Sequence, residues 1–286
     1  MSAAPPSPFT YALVGAGRVG TSVARLLQNR GNEPRAVSSR SKQSGERAAS
    51  LLDVPIVDIN ELPSVDVVLI GTPEAAIAEV AGQLALDGGV AVHFAGAYGI
   101  GPLLPAIERG MWGCALHPVQ ACPDIPTAIE RLPGSAWGVT CTWPAREWAH
   151  RFVSEEVGGT PIDVPEDARP VWHAAAVSTS NGIAALMAVG ERLLAAVGIE
   201  TPEKVLGPLA RGTVDNAIAG GGGAATLTGP AIRGEVVTVE RHLNGIRDLS
   251  PQLLSGYVLA AELILEAGTI DETTAGSIRR LLEGAR

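Results

Sequence analysis

Gly15-Ala16-Gly17-Arg18-Val19-Gly20 follows an apolar run, Tyr11 to Val14, and opens a stretch with amphipathic helical spacing. A GxGxxG set is weak evidence alone. Placed between a strand and a helix in the first β-α unit, it is the turn that a dinucleotide pyrophosphate needs. Gly15 permits the tight turn, Gly17 lets the backbone approach the pyrophosphate, and Gly20 allows helix and strand to pack closely. The helix start, with Arg18 and Val19, then offers free N–H groups and partial positive charge to the anion. A glycine-rich turn without a ligand is the alternative. An NAD site places Asp or Glu about 20 residues further on, where it holds the ribose hydroxyls. This chain reads Val37-Ser38-Ser39-Arg40-Ser41-Lys42 there, with no carboxylate. A guanidinium fork at Arg40 with hydroxyl donors at Ser39 and Ser41 suits a 2′-phosphate, which predicts NADP(H). Thr72-Pro73 follows the next apolar run and falls at the sheet edge beside the cofactor, as a backbone contact or as a plain turn.

Five histidines and only two lysines leave imidazole as the natural proton donor. His117 ends a strand in Leu116-His117-Pro118, at the carboxyl edge where ligands sit, and is the candidate catalytic acid. The bland reading is an imidazole that caps a loop carbonyl. His93 lies inside an apolar strand and reads mainly as a core residue, although Gly96 follows close by. His173 and Ser180, seven residues apart, share one line of a helix, with Asn181 beside it. A polar trio on an Ala/Val helix requires partners, either a substrate or neighbouring helices. Thr226 to Gly234 is the third set. Thr228 is expected to cap a helix whose first turn holds Pro230, and Arg233 either grips a substrate carboxylate or pairs with a surface acid.

The elements that position these residues alternate through the first half. Strands are expected at residues 11–15, 33–38, 54–57, 67–70, 90–94, 113–116, 136–141 and 160–164. Helices are expected at 19–29, 45–52, 74–84, 103–109 and 145–157. This rhythm predicts a parallel, doubly wound α/β sheet with helices on both faces. Beyond Pro165 every periodic segment is helical: 168–197, 202–219, 235–243, 251–266 and 270–283, with 220–223 a glycine loop. Residues 1–9 read as a disordered arm, 10–165 as a dinucleotide-binding domain and 166–286 as an all-α domain for substrate binding and dimerisation. A length of 286 residues fits two domains at roughly 100–200 residues each. The net charge of −9 argues against nucleic-acid or membrane-surface partners. Cys114, Cys122 and Cys141 form no CxxC motif, which suggests a reducing compartment and neither a disulfide framework nor a metal site. No basic, apolar leader or long apolar run appears, so a cytoplasmic protein is expected. Ala-rich helices such as 184–196 carry more apolar surface than one small domain buries, which points to a homodimer.

The glycine set, His93-Phe-Ala-Gly96, Leu116-His-Pro-Val-Gln120, His173 to Val177 with Ser180-Asn181, and Leu227-Thr-Gly-Pro-Ala-Ile-Arg233-Gly234 together carry a resemblance. From about residue 10 to 282 the chain resembles a bacterial family that joins a Rossmann-like oxidoreductase domain to a C-terminal domain of unknown function. That family is grouped with the 6-phosphogluconate dehydrogenase-like superfamily, alongside ketopantoate reductases, pyrroline-carboxylate reductases and 3-hydroxyacyl-CoA dehydrogenases. The resemblance implies that His117 acts on the substrate oxygen and that Asn181 orients the substrate. Two departures matter. Val177 stands where ketopantoate reductases keep a catalytic lysine, and Ala95 stands where the family often has Ser.

The combined expectation is an NADPH-dependent oxidoreductase that reduces C=O or C=N in a small anionic metabolite, with ketopantoate or a similar 2-oxo acid as substrate by analogy. His117, His173 and Asn181 would be catalytic, and Ser180, Thr228 and Arg233 would hold the substrate. The alternative is an NADP(H)-binding regulator or scaffold without turnover.

Overall fold

The structure is a computed structural model that describes residues 5–86 and 88–285. The chain divides into two compact units between Val177 and Ser178.

In the first unit β1 (Thr10–Val14), α1 (Arg18–Asn29), β2 (Glu33–Ser38), α2 (Lys42–Leu52), β3 (Val67–Ile70), α3 (Ile77–Gln83), β4 (Val90–His93), α4 (Leu104–Ile107) and β5 (Trp112–Pro118) alternate as expected. Then follow α5 (Ile125–Arg131), β6 (Ala136–Cys141), α6 (Arg146–Arg151), a π-helical extension over Phe152–Val157, and β7 (Thr160–Asp163). The seven strands lie in the order β2-β1-β3-β4-β5-β6-β7. β3 and β4 are buried throughout, because helices cover both faces of the sheet. Alternation sends Leu13, Leu69 and Val92 to one core and Val14, Ile70 and Ala91 to the other.

The expected all-parallel sheet needs one correction. β6 runs antiparallel to β5, whereas β7 is parallel to β6. A parallel neighbour requires a crossover that returns to the starting edge. The link after β5 holds only the short α5, which packs against α1, so β6 runs back. The expected strand at 54–57 reduces to one bridge between Val37 and Ile56. Pro55 has no N–H to extend that ladder. Residues 1–4 of the expected disordered arm lie outside the described residues. Residues 5–9 do not behave as an arm: Phe9 is buried, stacks on Phe152 with ring centroids 6.3 Å apart, and donates its N–H to Asn32 Oδ1 at 3.0 Å.

α7 (Arg169–Ala196) begins in the first unit and continues into the second. The boundary therefore falls inside this helix and not at the expected Pro165. The cause is local: Arg169 is fully buried and donates to the Ala115 carbonyl on β5. Trp172 packs where a Cβ at Gly138 would lie 2.7 Å from its Nε1.

The second unit holds no strand among its described residues and is built from the rest of α7 with α8 (Pro202–Ala219), α9 (Val236–Leu249), α10 (Leu254–Ala267) and α11 (Glu272–Glu283). Its core gathers Val239, Leu243, Val258, Leu265, Ile278 and Leu282 from α9, α10 and α11. Residues 220–223 form the expected loop. Thr228 does not cap a helix. Residues 229–234 form turns with positive φ at Gly229 and Gly234, and α9 begins only at Val236. No helix among the described residues is long and apolar enough to cross a membrane.

Candidate active site

The glycine turn and the end of β3 interlock. Gly15 adopts φ +83, and a Cβ there would lie 2.7 Å from the Thr72 backbone nitrogen. A Cβ at Gly20 would sit 2.8 Å from Gly71 Cα and 3.2 Å from Leu13 Cδ1, so Gly20 performs the close helix-strand packing assigned to it. Gly17 has a different immediate role from the one expected. A Cβ there would collide with the Gly71 carbonyl, which accepts the Gly17 N–H at 3.2 Å. Its missing side chain makes room for the neighbouring strand end. α1 starts with no side-chain cap and no acidic residue in its first turn, which leaves its N–H groups free of carboxylate competition.

Next to this turn lies a cleft of about 430 Å³, lined by Gly17 to Gly20, Ile70 to Glu74, Phe94 to Gly96, His117, Pro118, Gln120, Cys122 and His173. These residues come from the carboxyl ends of β1, β3, β4 and β5, at the point where the strand order reverses, and from the start of α7. Thr72 and Pro73 line it, and the Thr72 hydroxyl is buried without a protein partner. Arg18 reaches across to donate to the Pro123 carbonyl at 2.8 Å.

Two imidazoles meet at Gly96. The His117 and His173 rings are edge to face, with centroids 5.2 Å apart. A Cβ on Gly96 would lie 2.8 Å from His117 Nε2 and would collide with His173 Nδ1. The Trp172 indole N–H donates to His117 Nδ1 at 3.1 Å. Indole nitrogen only donates, so Nδ1 is the acceptor and the proton of neutral His117 sits on Nε2, which faces the cleft. Burial pushes the His117 pKa down to about 4, helped by His173 and the buried Arg169 cation. His117 is therefore neutral near pH 7 and acts as an N–H donor. The expectation of an ordinary imidazole acid titrating near 6.5 does not hold. His173 Nδ1 is buried without a partner.

His93 is a core residue, as its apolar strand suggested. It is fully buried, Nε2 bonds the Gly99 carbonyl at 2.7 Å, and Nδ1 accepts from Ala95 N–H at 3.1 Å. Burial lowers its pKa to about 4. His150 pairs with Asp163 at 2.7 Å, and His242 bonds Tyr257 at 2.8 Å.

Ser39, Arg40 and Ser41 lie at the end of β2, where Ser38 accepts the Gly15 N–H at 2.7 Å. The Arg40 side chain is 75% exposed and 3.9 Å from Glu79, so its guanidinium is largely uncommitted. Ser41 caps α2 by accepting the Ser44 N–H at 3.3 Å, a role that sequence reasoning had not given it. Ser180, Asn181 and Thr228 are exposed residues of the second unit. Arg233 is exposed there too, with its Nε donating to Glu235 at 2.6 Å. Sequence reasoning missed Gly71, Trp172 and Arg169. Gly71 carried a readable signal, a glycine directly after an all-apolar strand. Arg169 lies four residues before His173, on the same helix face. Trp172 offered no spacing signal.

The fold and the turn define a Rossmann-type protein with a helical second unit. Residues 3–118 match the family model of the Rossmann-like domain, and residues 135–264 match that of a domain of unknown function, DUF2520. The chain thus carries the domain pairing that its motifs resemble. No curated protein sequence matches it. Among solved structures it is similar to TM1727 from Thermotoga maritima, at 22% identity and TM-score 0.69, covering 94% of this chain and 100% of that one. BF3122 from Bacteroides fragilis, provisionally named an NADP oxidoreductase, is 21% identical with TM-score 0.74, over 90% and 97% of the two chains. The 1-pyrroline-5-carboxylate reductase of Streptococcus pyogenes is 17% identical with TM-score 0.59, over 97% and 98%. At these identities the likeness establishes the fold.

Proposed function

We propose that this protein is an NADPH-dependent reductase of C=O or C=N bonds in a small anionic metabolite, such as ketopantoate or another 2-oxo acid. One observation carries the reading: two imidazole nitrogens converge at Gly96 in the same cleft that the glycine turn lines. The donor set fits a dinucleotide, because α1 offers an uncapped N-terminus and the buried Thr72 hydroxyl lacks a partner. Gly15, Gly17, Arg18, Val19 and Gly20 would hold the pyrophosphate. Ser39, Arg40 and Ser41 would hold the 2′-phosphate, with Thr72 and Pro73 along the ribose. When bound, the cofactor supplies hydride.

His117 Nε2–H then donates to the substrate heteroatom as negative charge develops on it, the task of an oxyanion donor. His173 places a second imidazole nitrogen at the same point. Ser180, Asn181 and Thr228 enter the proposal as substrate-orienting residues, and Arg233 would exchange Glu235 for a substrate carboxylate. The names of BF3122 and of the pyrroline-5-carboxylate reductase are in keeping with this chemistry. A cytoplasmic homodimer completes the reading, supported by three free thiols and by the exposed apolar helices.

The test is titration calorimetry with NADPH and NADH on the wild type and Arg40→Ala. Loss of one charged hydrogen bond, about 1.5–3 kcal/mol, weakens NADPH roughly tenfold to a hundredfold and leaves NADH little changed. No binding of either nucleotide would make the glycine turn structural and would replace the reductase reading with a partner-binding role, whereas NADPH binding without turnover on any substrate would favour the NADP(H)-binding regulator or scaffold.

A further inference from the structure

We propose that Cys114 and Cys141 form a redox-modification site, a thiol pair that peroxide oxidises to a cross-strand disulfide between β5 and β6. The two residues face each other in the antiparallel register. Thr142 N–H donates to the Gly113 carbonyl at 2.9 Å, and Val119 N–H donates to the Ala136 carbonyl at 2.8 Å. Both pairs belong to the hydrogen-bonded set of this ladder. Hydrogen-bonded and non-hydrogen-bonded pairs alternate, so Cys114 and Cys141 occupy a non-hydrogen-bonded position. Cα atoms at such positions lie about 4.5 Å apart with side chains on one face, within the roughly 4.4–6.8 Å span of a disulfide. The bond therefore closes without breaking the ladder.

The two thiols are chemically unequal. Cys114 is fully buried and its pKa is raised by burial, whereas Cys141 is partly exposed and its pKa is lowered by the hydrogen bond from Cys114. Cys141 also lines a surface cleft of about 470 Å³ with Arg146 and Asp163, which gives a small oxidant access to it. The Cys141 thiolate attacks one peroxide oxygen. The O–O bond breaks, hydroxide leaves, and the sulfur becomes a sulfenic acid. The Cys114 thiol then attacks that sulfur and gives up its proton. The S–S bond forms, the S–O bond breaks, and water leaves. The two thiols lose two electrons and the peroxide gains them. The product fastens β5, which carries His117 three residues beyond Cys114, to its neighbour.

Trypsin leaves Cys114 and Cys122 on one peptide, so the experiment uses the full chain with Cys122→Ser. Reduced protein is treated with a stoichiometric amount of hydrogen peroxide and mapped by mass spectrometry before and after dithiothreitol. The expected result is the loss of two hydrogens per chain, one peptide pair joined through Cys114 and Cys141, and reversal by the reductant. Cys114→Ser in the same background should stop at a dimedone-reactive sulfenic acid on Cys141, and Cys141→Ser should leave Cys114 reduced. Sulfinic acid on Cys141 with Cys114 still free, or thiols that stay reduced, would overturn the proposal. If Cys114→Ser fails to fold, the peptide map of the Cys122→Ser protein decides alone.

Discussion

The Trp172 indole N–H lies 3.1 Å from His117 Nδ1 and holds one tautomer of that ring. The bond joins the start of α7 to the end of β5, and it aims Nε2–H at the cleft. Nitrogen-15 NMR of the imidazoles should show His117 neutral at pH 7, with the proton on Nε2 and protonation only near about 4. Trp172→Phe keeps an aromatic side chain, although a smaller one, and removes the donor, so the two tautomers should mix. An unchanged Nε2–H signal in that variant would mean that the indole does not set the tautomer.

A second prediction concerns pH. His93 and His117 both have folded pKa values near 4, below the ordinary imidazole value of 6.5. Between those limits the unfolded chain binds protons that the native chain does not. The stability associated with the neutral rings is full above about pH 6.5 and is lost as pH falls toward about 4, at roughly 1.4 kcal/mol per pH unit per histidine. Urea unfolding at neutral and mildly acid pH measures the slope. His93→Asn removes one of the two rings and should reduce this slope to about half, alongside a constant loss of stability from the altered Gly99 and Ala95 bonds.

Gly96→Ala separates the imidazole pair from the nucleotide turn. Its Cβ would collide with His173 Nδ1 and crowd His117 Nε2 at 2.8 Å, while the glycine turn lies outside that contact. Displacing a preorganised donor costs about 10²–10³ in turnover. NADPH affinity should change little, and oxidation of NADPH with the accepted substrate should fall by that factor. Full activity in the variant would remove the imidazole pair from the chemistry.

Much of this was legible in the sequence, for local reasons. β3 and β6 occupy the expected residues because each is a short, mainly apolar or β-branched run, and β2 does so although only Ala36 and Val37 in it are apolar. The glycine turn was legible because strand, glycines and helix are contiguous. α5 was missed, although Asp124 accepts the Thr127 N–H at 2.8 Å and Pro126 falls in the first turn, both helix-start signals on a helix too short to show a period. The Thr228 cap was misread because Thr and Pro fit a helix start. The positive φ values at Gly229 and Gly234 put turns there instead. The Trp172–His117 bond spans 55 residues of sequence, so no local pattern encodes it. The antiparallel β6 was hidden for a similar reason, since strand direction depends on where the connecting chain emerges.

The last prediction is the oligomeric state. α7 is an apolar helix of 28 residues whose only fully buried residue is Arg169, and α8 buries none. Val177, Ile183 and Leu186 on α7 are exposed by about two-fifths, and Leu209 and Ile218 on α8 by 66% and 77%. Single exposed apolar residues are ordinary, but two helices that bury almost nothing within one chain while each exposes several large apolar side chains point to an interaction surface. A second copy presents the same surface, and a two-fold interface is self-complementary by construction. Light scattering should therefore give twice the 29.4 kDa of one chain. Leu186→Asp with Leu209→Asp places carboxylates on that surface, at residues that are not buried in the single chain, and should shift the mass toward the monomer. A wild-type mass of one chain across the micromolar range would refute the dimer and leave the exposed apolar side chains of α7 and α8 to a different partner.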